Sequence, residues 1–158
     1  MLQRCTGHAR NRGTNVTRAA TSEGIDPALI EDPYPFQQHL GFRITDWRED
    51  FARFELPVAA HLGNRYNIPH GGVYASLIDT AMGFAGCYTG SRNDRRLAMT
   101  LSLNVNFLAQ PKGTLLIAQG QRTGGGRKTF FAEAVIFDDT GIKVATGSGA
   151  FRYRSGGA

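Results

Sequence analysis

Residues 70–88 read HGGVYASLIDTAMGFAGCY, the one long stretch of the chain with helical periodicity. On a 3.6-residue period Val73, Leu77, Ala81, Phe84 and Tyr88 form an apolar stripe. Gly72, Ser76, Asp79, Gly83 and Gly86 form a second stripe, roughly opposite. An interior glycine costs about 1 kcal/mol relative to alanine in a helix, so a face of small residues predicts that something packs very close to it. The same face carries Asp79, the helix's only carboxylate.

Downstream of this helix, predicted from Gly71 to about Tyr88, the period changes to two. Leu101, Leu103, Val105 and Phe107 alternate with polar residues. Pro111-Lys112-Gly113 makes a turn, and alternation resumes through Leu115, Ile117 and Gln119. The glycine run Gly124 to Gly126 and the turn Asp138 to Gly141 bound two more strands, Phe130 to Phe137 and Ile142 to Tyr153. Four successive strands with short connections predict an antiparallel meander. Upstream, Gly41 to Trp47 and Phe51 to Pro57 read as two strands joined by Arg48-Glu49-Asp50. Asp26-Pro27 reads as an N-cap with proline at N1 of a short helix, and Pro33 and Pro35 end it and open another turn through His39. About six antiparallel strands and one long helix define an α+β fold. A curved sheet wrapped around the helix satisfies both stripes, one facing the sheet and the other a partner or a ligand.

The 158 residues, 41% apolar and 20% charged, suffice for one domain with an ordinary core. The formal charge of +5 is unevenly placed: residues 1–24 hold Arg4, Arg10, Arg12 and Arg18 against Glu23 alone. That segment reads as a disordered or dispensable leader before a domain spanning residues 25–158. The remaining +2 argues against a nucleic-acid platform. No apolar run reaches the ~18 residues of a membrane span, and the leader lacks the apolar core of a secretory signal. Cys5 and Cys87 match neither a disulfide framework nor a metal site. A cytoplasmic protein is expected.

The segment Asn64-Arg65-Tyr66-Asn67-Ile68-Pro69-His70-Gly71-Gly72, followed after six residues by Asp79, resembles the hotdog-fold thioesterases of the phenylacetate-pathway type. The likeness extends from about Phe36 to Tyr153, taking in Thr100 to Pro111 and the last hairpin from Gly126 to Phe151. It implies a hotdog fold and hydrolysis of an acyl-CoA thioester. Elementary chemistry agrees. The first amides of a helix lack intrahelical partners and sit at the positive end of its dipole, so the Gly71 amide can hold a developing oxyanion. Asp79 suits either general base or direct nucleophile, and burial would raise its pKa unless it is hydrogen-bonded. By resemblance Asn64 orients the carbonyl or the attacking water, and Thr100 hydrogen-bonds that water or Asp79. His70 either donates to the thioester or packs the loop and fixes Gly71.

Gly124, Gly125, Gly126, Arg127 and Lys128 offer backbone amides and two cations to the phosphates of coenzyme A, with Arg92, Arg95 and Arg96 able to assist. No cofactor or metal is expected, coenzyme A being part of the substrate. Phe36, Leu40, Tyr74, Phe84 and Tyr88 are candidate walls for a small, medium-chain or aryl acyl group. Two other readings stand beside hydrolysis. Asn67-Ile68-Pro69-His70 keeps the Asn, Pro and His of the hotdog enoyl-CoA hydratases, with one residue inserted, and the domain could bind acyl-CoA without catalysis. Eight residues of helix separate Gly71 from Asp79 by ~12 Å, too far for one reacting centre. A homodimer with shared sites is therefore expected, with the glycine stripe facing the partner, and the resemblance implies the same arrangement, often with dimers paired into tetramers.

Overall fold

The computed structural model describes residues 25–154, and the expected leader over residues 1–24 lies outside them. Asp26 accepts from the Ala28 amide at 2.9 Å, but Pro27–Leu29 closes only a 3-10 turn instead of the expected helix. Ile30 is already extended, so no second turn propagates. Helix α1, Pro35–Leu40, ends at Gly41, whose φ of 84° makes a left-handed cap. Strands β1 (Arg43–Arg48) and β2 (Phe51–Pro57) precede helix α2 (Gly71–Cys87). Strands β3 (Ala98–Phe107), β4 (Leu115–Gly125), β5 (Thr129–Asp138) and β6 (Lys143–Tyr153) follow.

The six strands form one antiparallel sheet in the order β1-β2-β4-β5-β6-β3. The expected four-strand meander is only partly realised. β4, β5 and β6 run as hairpins, but β3 pairs with β6 at the far edge and β4 pairs with β2. The connection through Pro111-Lys112-Gly113 is a crossover along the ends of β6 and β5. It is held there by Leu108 N–H donating to the Val144 carbonyl at 2.9 Å and by Asp138. Asp138 is fully buried. Its Oδ2 accepts from the amides of Lys112 (2.8 Å) and Gly113 (3.0 Å). Its Oδ1 accepts from the Thr140 amide and hydroxyl and the Ile142 amide. Burial alone would push this carboxyl up, but the bonds from Thr140, Lys112, Gly113 and Ile142 outweigh it and hold the pKa well below the usual range.

α2 lies in the concave face of the sheet. Leu77, Ile78 and Met82 are buried against Phe54, Leu116, Phe130, Ile136 and Phe151. Filling such a site with alanine instead of leucine typically costs 2–5 kcal/mol. The two predicted stripes do not divide the helix into a core face and a partner face. Gly86, on the small-residue stripe, is buried against the Phe130 ring, where any Cβ would collide with the ring. Phe84 and Tyr88, on the apolar stripe, are only half-buried: both pack on Trp47, and Phe84 also meets Phe54 of the core. The sheet curls further around the helix than a single stripe covers. What remains open is the line Gly72, Ser76, Asp79, Gly83.

β3 also departs from expectation. Its alternation predicts one covered face, yet Leu101, Leu103 and Phe107 are exposed by 56%, 40% and 60%, and Met99 by 50%. It is an edge strand ten residues long, with one side unpaired among the described residues. Among the described residues no helix is long and apolar enough to cross a membrane.

Candidate active site

Two clusters of the singled-out residues lie at different points along α2. The first is built around Asp79, in the middle of the helix. Its Oδ1 accepts a 2.6 Å hydrogen bond from the Thr100 hydroxyl on β3. The contact arises because β3 lies beside the open line of α2, which puts Asp79 and Thr100 opposite each other. Both border a cavity of about 250 Å³ whose other walls include Tyr34, Trp47, Phe84 and Phe151. Asp79 is half-buried rather than enclosed. The cavity thus offers a carboxylate with one oxygen engaged beside an aromatic pocket, which fits activation of water next to an apolar acyl group.

The second cluster is the loop before α2. A bridge between Gly63 and Pro69 closes it, and the Asn64 amide donates to the Ile68 carbonyl at 2.8 Å. Asn64 Oδ1 accepts from the Tyr66 amide at 2.8 Å, an Asx turn, and Asn67 takes a left-handed φ of 59° that asparagine tolerates. His70 is the N-cap of α2. Its Nδ1 accepts from the Gly72 amide at 2.9 Å, so the imidazole fixes the helix start and holds any ring proton on Nε2. The Gly71 amide has no acceptor among the described residues, and a Cβ there would stand 3.3 Å from the Phe107 ring. Gly71 therefore presents a bare donor under an exposed aromatic edge. Neither Asn64, His70 nor Gly71 borders the cavity that holds Asp79.

The third group lies at the end of the molecule beyond Cys87. Gly124 and Gly125, the latter at φ 129°, end β4, and Gly126 to Lys128 form the β4–β5 turn. The Gly126 amide is committed to the Thr129 carbonyl at 2.8 Å, which removes one amide from the cradle expected there. Arg127 and Lys128 remain exposed. The Lys128 carbonyl accepts from the Tyr153 amide, and the Arg96 guanidinium lies 5.0 Å from the Tyr153 ring centroid. The turn thus stands beside the edge where Arg96 borders the cavity. Arg95 is paired with Glu31. Cys87 also borders the cavity, and burial pushes its thiol up to about 11 against the opposing pull of Arg96, so it stays a neutral thiol.

Of the five expected walls, only Phe84 borders this cavity. Tyr74 is buried in the core against Phe107, which raises its phenol pKa. Leu40 packs on the core, Phe36 is 52% exposed, and Tyr88 borders a small neighbouring cavity. Trp47 and Tyr34 were not foreseen. A strand tryptophan and a loop tyrosine have no periodicity that reports which cavity they meet.

One curved antiparallel sheet around a single long helix, with a carboxylate at mid-helix, is the hotdog architecture of the thioesterases. The family model described as the thioesterase superfamily matches residues 66–145, and the chain belongs to that superfamily. It is a thioester hydrolase. Among solved structures it is similar to a conserved protein of Pseudomonas aeruginosa, with 26% identity, coverage of 77% of this chain and 94% of that one, and a TM-score of 0.70. It is also similar to the E. coli PaaI protein from the phenylacetic acid degradation operon (25% identity, 77% and 85% coverage, TM-score 0.67). A Bacillus halodurans protein solved with CoA is 31% identical over 65% of this chain and 66% of that one, with a TM-score of 0.57. None of these likenesses favours the hydratase or the non-catalytic reading.

Proposed function

We propose that the enzyme hydrolyses the thioester of a small, medium-chain or aryl acyl-CoA, at sites shared between two copies of the chain. The observation that carries this reading is the Thr100–Asp79 hydrogen bond of 2.6 Å at the wall of an aromatic cavity. One carboxylate oxygen is held by Thr100, and the other takes a proton from water as the water oxygen attacks the carbonyl carbon. The carbonyl oxygen gathers negative charge and is met by the Gly71 amide of the other protomer, with Asn64 orienting the carbonyl. Collapse breaks the carbon–sulfur bond, and the proton held by Asp79 passes to the departing thiolate. The acid and coenzyme A leave. The exposed β3 edge, with Leu101, Leu103 and Phe107, supports pairing of two protomers beside both clusters. In this reading Arg127 and Lys128, assisted by Arg96, meet the phosphates of coenzyme A; their exposure and a relative from Bacillus halodurans solved with CoA support it.

Free-thiol release from a panel of acyl-CoAs, varied in chain length and aryl substitution, tests the reading. Release from at least one class at a rate far above the buffer control is expected. Tight binding of every acyl-CoA without thiol release would instead make the domain a carrier.

A further inference from the structure

Beneath the segment Leu29–Tyr34 three cavities lie side by side, and Glu31 and Trp47 are the two residues that border all of them. The largest, about 250 Å³, is the one with Asp79, and its two neighbours are about 20 Å³ each. Both dividing residues are held. The Glu31 carboxylate is forked on Arg95, Oε2 to Nη2 at 2.6 Å and Oε1 to Nε at 3.0 Å. That pair ties the segment before α1 to the connector between α2 and β3. Trp47 is fixed from the sheet side: its Nε1 donates to the Phe84 carbonyl at 2.9 Å, and its ring packs on Phe84 and Tyr88.

We infer that Glu31, latched by Arg95, and Trp47 form a partition that sets the length of acyl chain the enzyme accepts, an inference that rests on the acyl-CoA reading above. An apolar cavity of roughly 150 Å³ holds a benzene molecule. The main cavity therefore takes a phenyl ring or a short alkyl chain with a few carbons to spare, and a longer chain has to pass the partition. Two effects oppose it. The indole fills the space, and an alkyl end pressed on Glu31 would strip water from a carboxylate and guanidinium that are partly solvated, at a cost in free energy. Without the Glu31 side chain the main cavity runs into the two small ones, and the barrier is gone on that side. Arg95 acts through Glu31: it borders only one of the small cavities and not the main one.

The test measures kcat/KM across straight-chain acyl-CoAs from butyryl to palmitoyl for the intact chain, Glu31→Ala and Arg95→Ala. Binding of non-hydrolysable acyl-CoA thioethers of the same lengths is measured in parallel by calorimetry. Glu31 lies outside the core cluster, so its removal leaves the fold standing. Both variants are expected to raise the long-to-short ratio by about tenfold or more, the scale on which a pocket distinguishes added methylenes. An Arg95 that served only the phosphates would weaken all lengths alike and leave the ratio fixed. Unchanged ratios in both variants, in turnover and in binding, overturn the partition. If the intact chain releases no thiol from any member, the hydrolytic reading fails by itself, and the calorimetric ratios still decide the partition.

Discussion

The hydroxyl of Thr100 occupies one oxygen of Asp79 and leaves the other free to meet water. A charge-assisted bond of this kind is worth about 1.5–3 kcal/mol. Thr100→Val should then lower kcat by roughly ten- to a hundredfold, while Asp79→Asn, which removes the base, should lower it by ~100-fold or more with acyl-CoA still bound. Steady-state kinetics and equilibrium binding on the same variants check this, and near-normal turnover in Asp79→Asn would move the chemistry elsewhere. Single turnover in labelled water separates the two roles open to the carboxylate. A general base puts the labelled oxygen in the product acid, whereas a nucleophile whose anhydride is opened by water at the Asp79 carbonyl puts it in Asp79 and releases an unlabelled acid. Asp79 was legible in the sequence because a lone carboxylate stands out on a helix of small and apolar residues. His70 was ambiguous there, since an N-cap and a substrate donor use the same imidazole, and only the 2.9 Å bond from the Gly72 amide assigns it to the cap. Trp47 was not legible, because its place at the cavity depends on how β1 meets the end of α2.

Element boundaries were legible almost throughout, since period and turn chemistry are local. The place of β3 was not. Alternation fixes which residues share a face, but it does not choose between β4 and β6 as neighbour, and the crossover that leaves β3 beside β6 is held by a buried carboxylate more than thirty positions from the strand's end. That carboxylate gives the crossover an acid sensitivity. A carboxyl whose folded-state pKa is depressed adds stability that is complete above its unfolded value, near 3.8, and is lost as pH falls toward the folded value. Thermal stability should decline below about pH 4, and Asp138→Asn should flatten that decline. At neutral pH the same variant should cost roughly 2 kcal/mol or more, since an amide cannot satisfy all the donors aimed at both oxygens. Unfolding curves at neutral pH and at pH 3 decide it. The β4–β5 turn makes a different prediction. Arg127→Ala should raise KM for acyl-CoA more than for a truncated thioester without the nucleotide, with kcat largely kept. Equal effects on the two substrates would leave Arg127 an ordinary solvated residue.

For the molecule as a whole, the separation of the Gly71 and Asp79 clusters has one economical solution, a two-fold pair in which each site draws on both chains. Asn64→Ala and Asp79→Ala chains, each nearly inactive, should regain about half of one pair's activity when co-expressed, because a mixed pair restores one intact site. Purified hybrids as inactive as their parents would sink the shared site, as would full activity in a species that sediments as a monomer. The two-chain expectation came from helix length and from the family resemblance, with the glycine stripe toward the partner; of that stripe Gly86 is a seat for Phe130, while Gly72, Ser76, Asp79 and Gly83 stay open. The sheet order has a consequence in time as well. Thr100 is aligned with Phe151 across the β3–β6 ladder, so β3 waits through the whole β4–β5–β6 hairpin series for its only strand partner among the described residues. Ladders that close such long loops form late in folding. On a ribosome, the helix and the first two strands emerge with Asp79 in place and nothing to hold it. The Thr100 hydroxyl follows soon after on β3, but β3 is paired in the sheet beside Asp79 only once the final strand emerges, so a chain released early keeps both groups and has no enzyme around them.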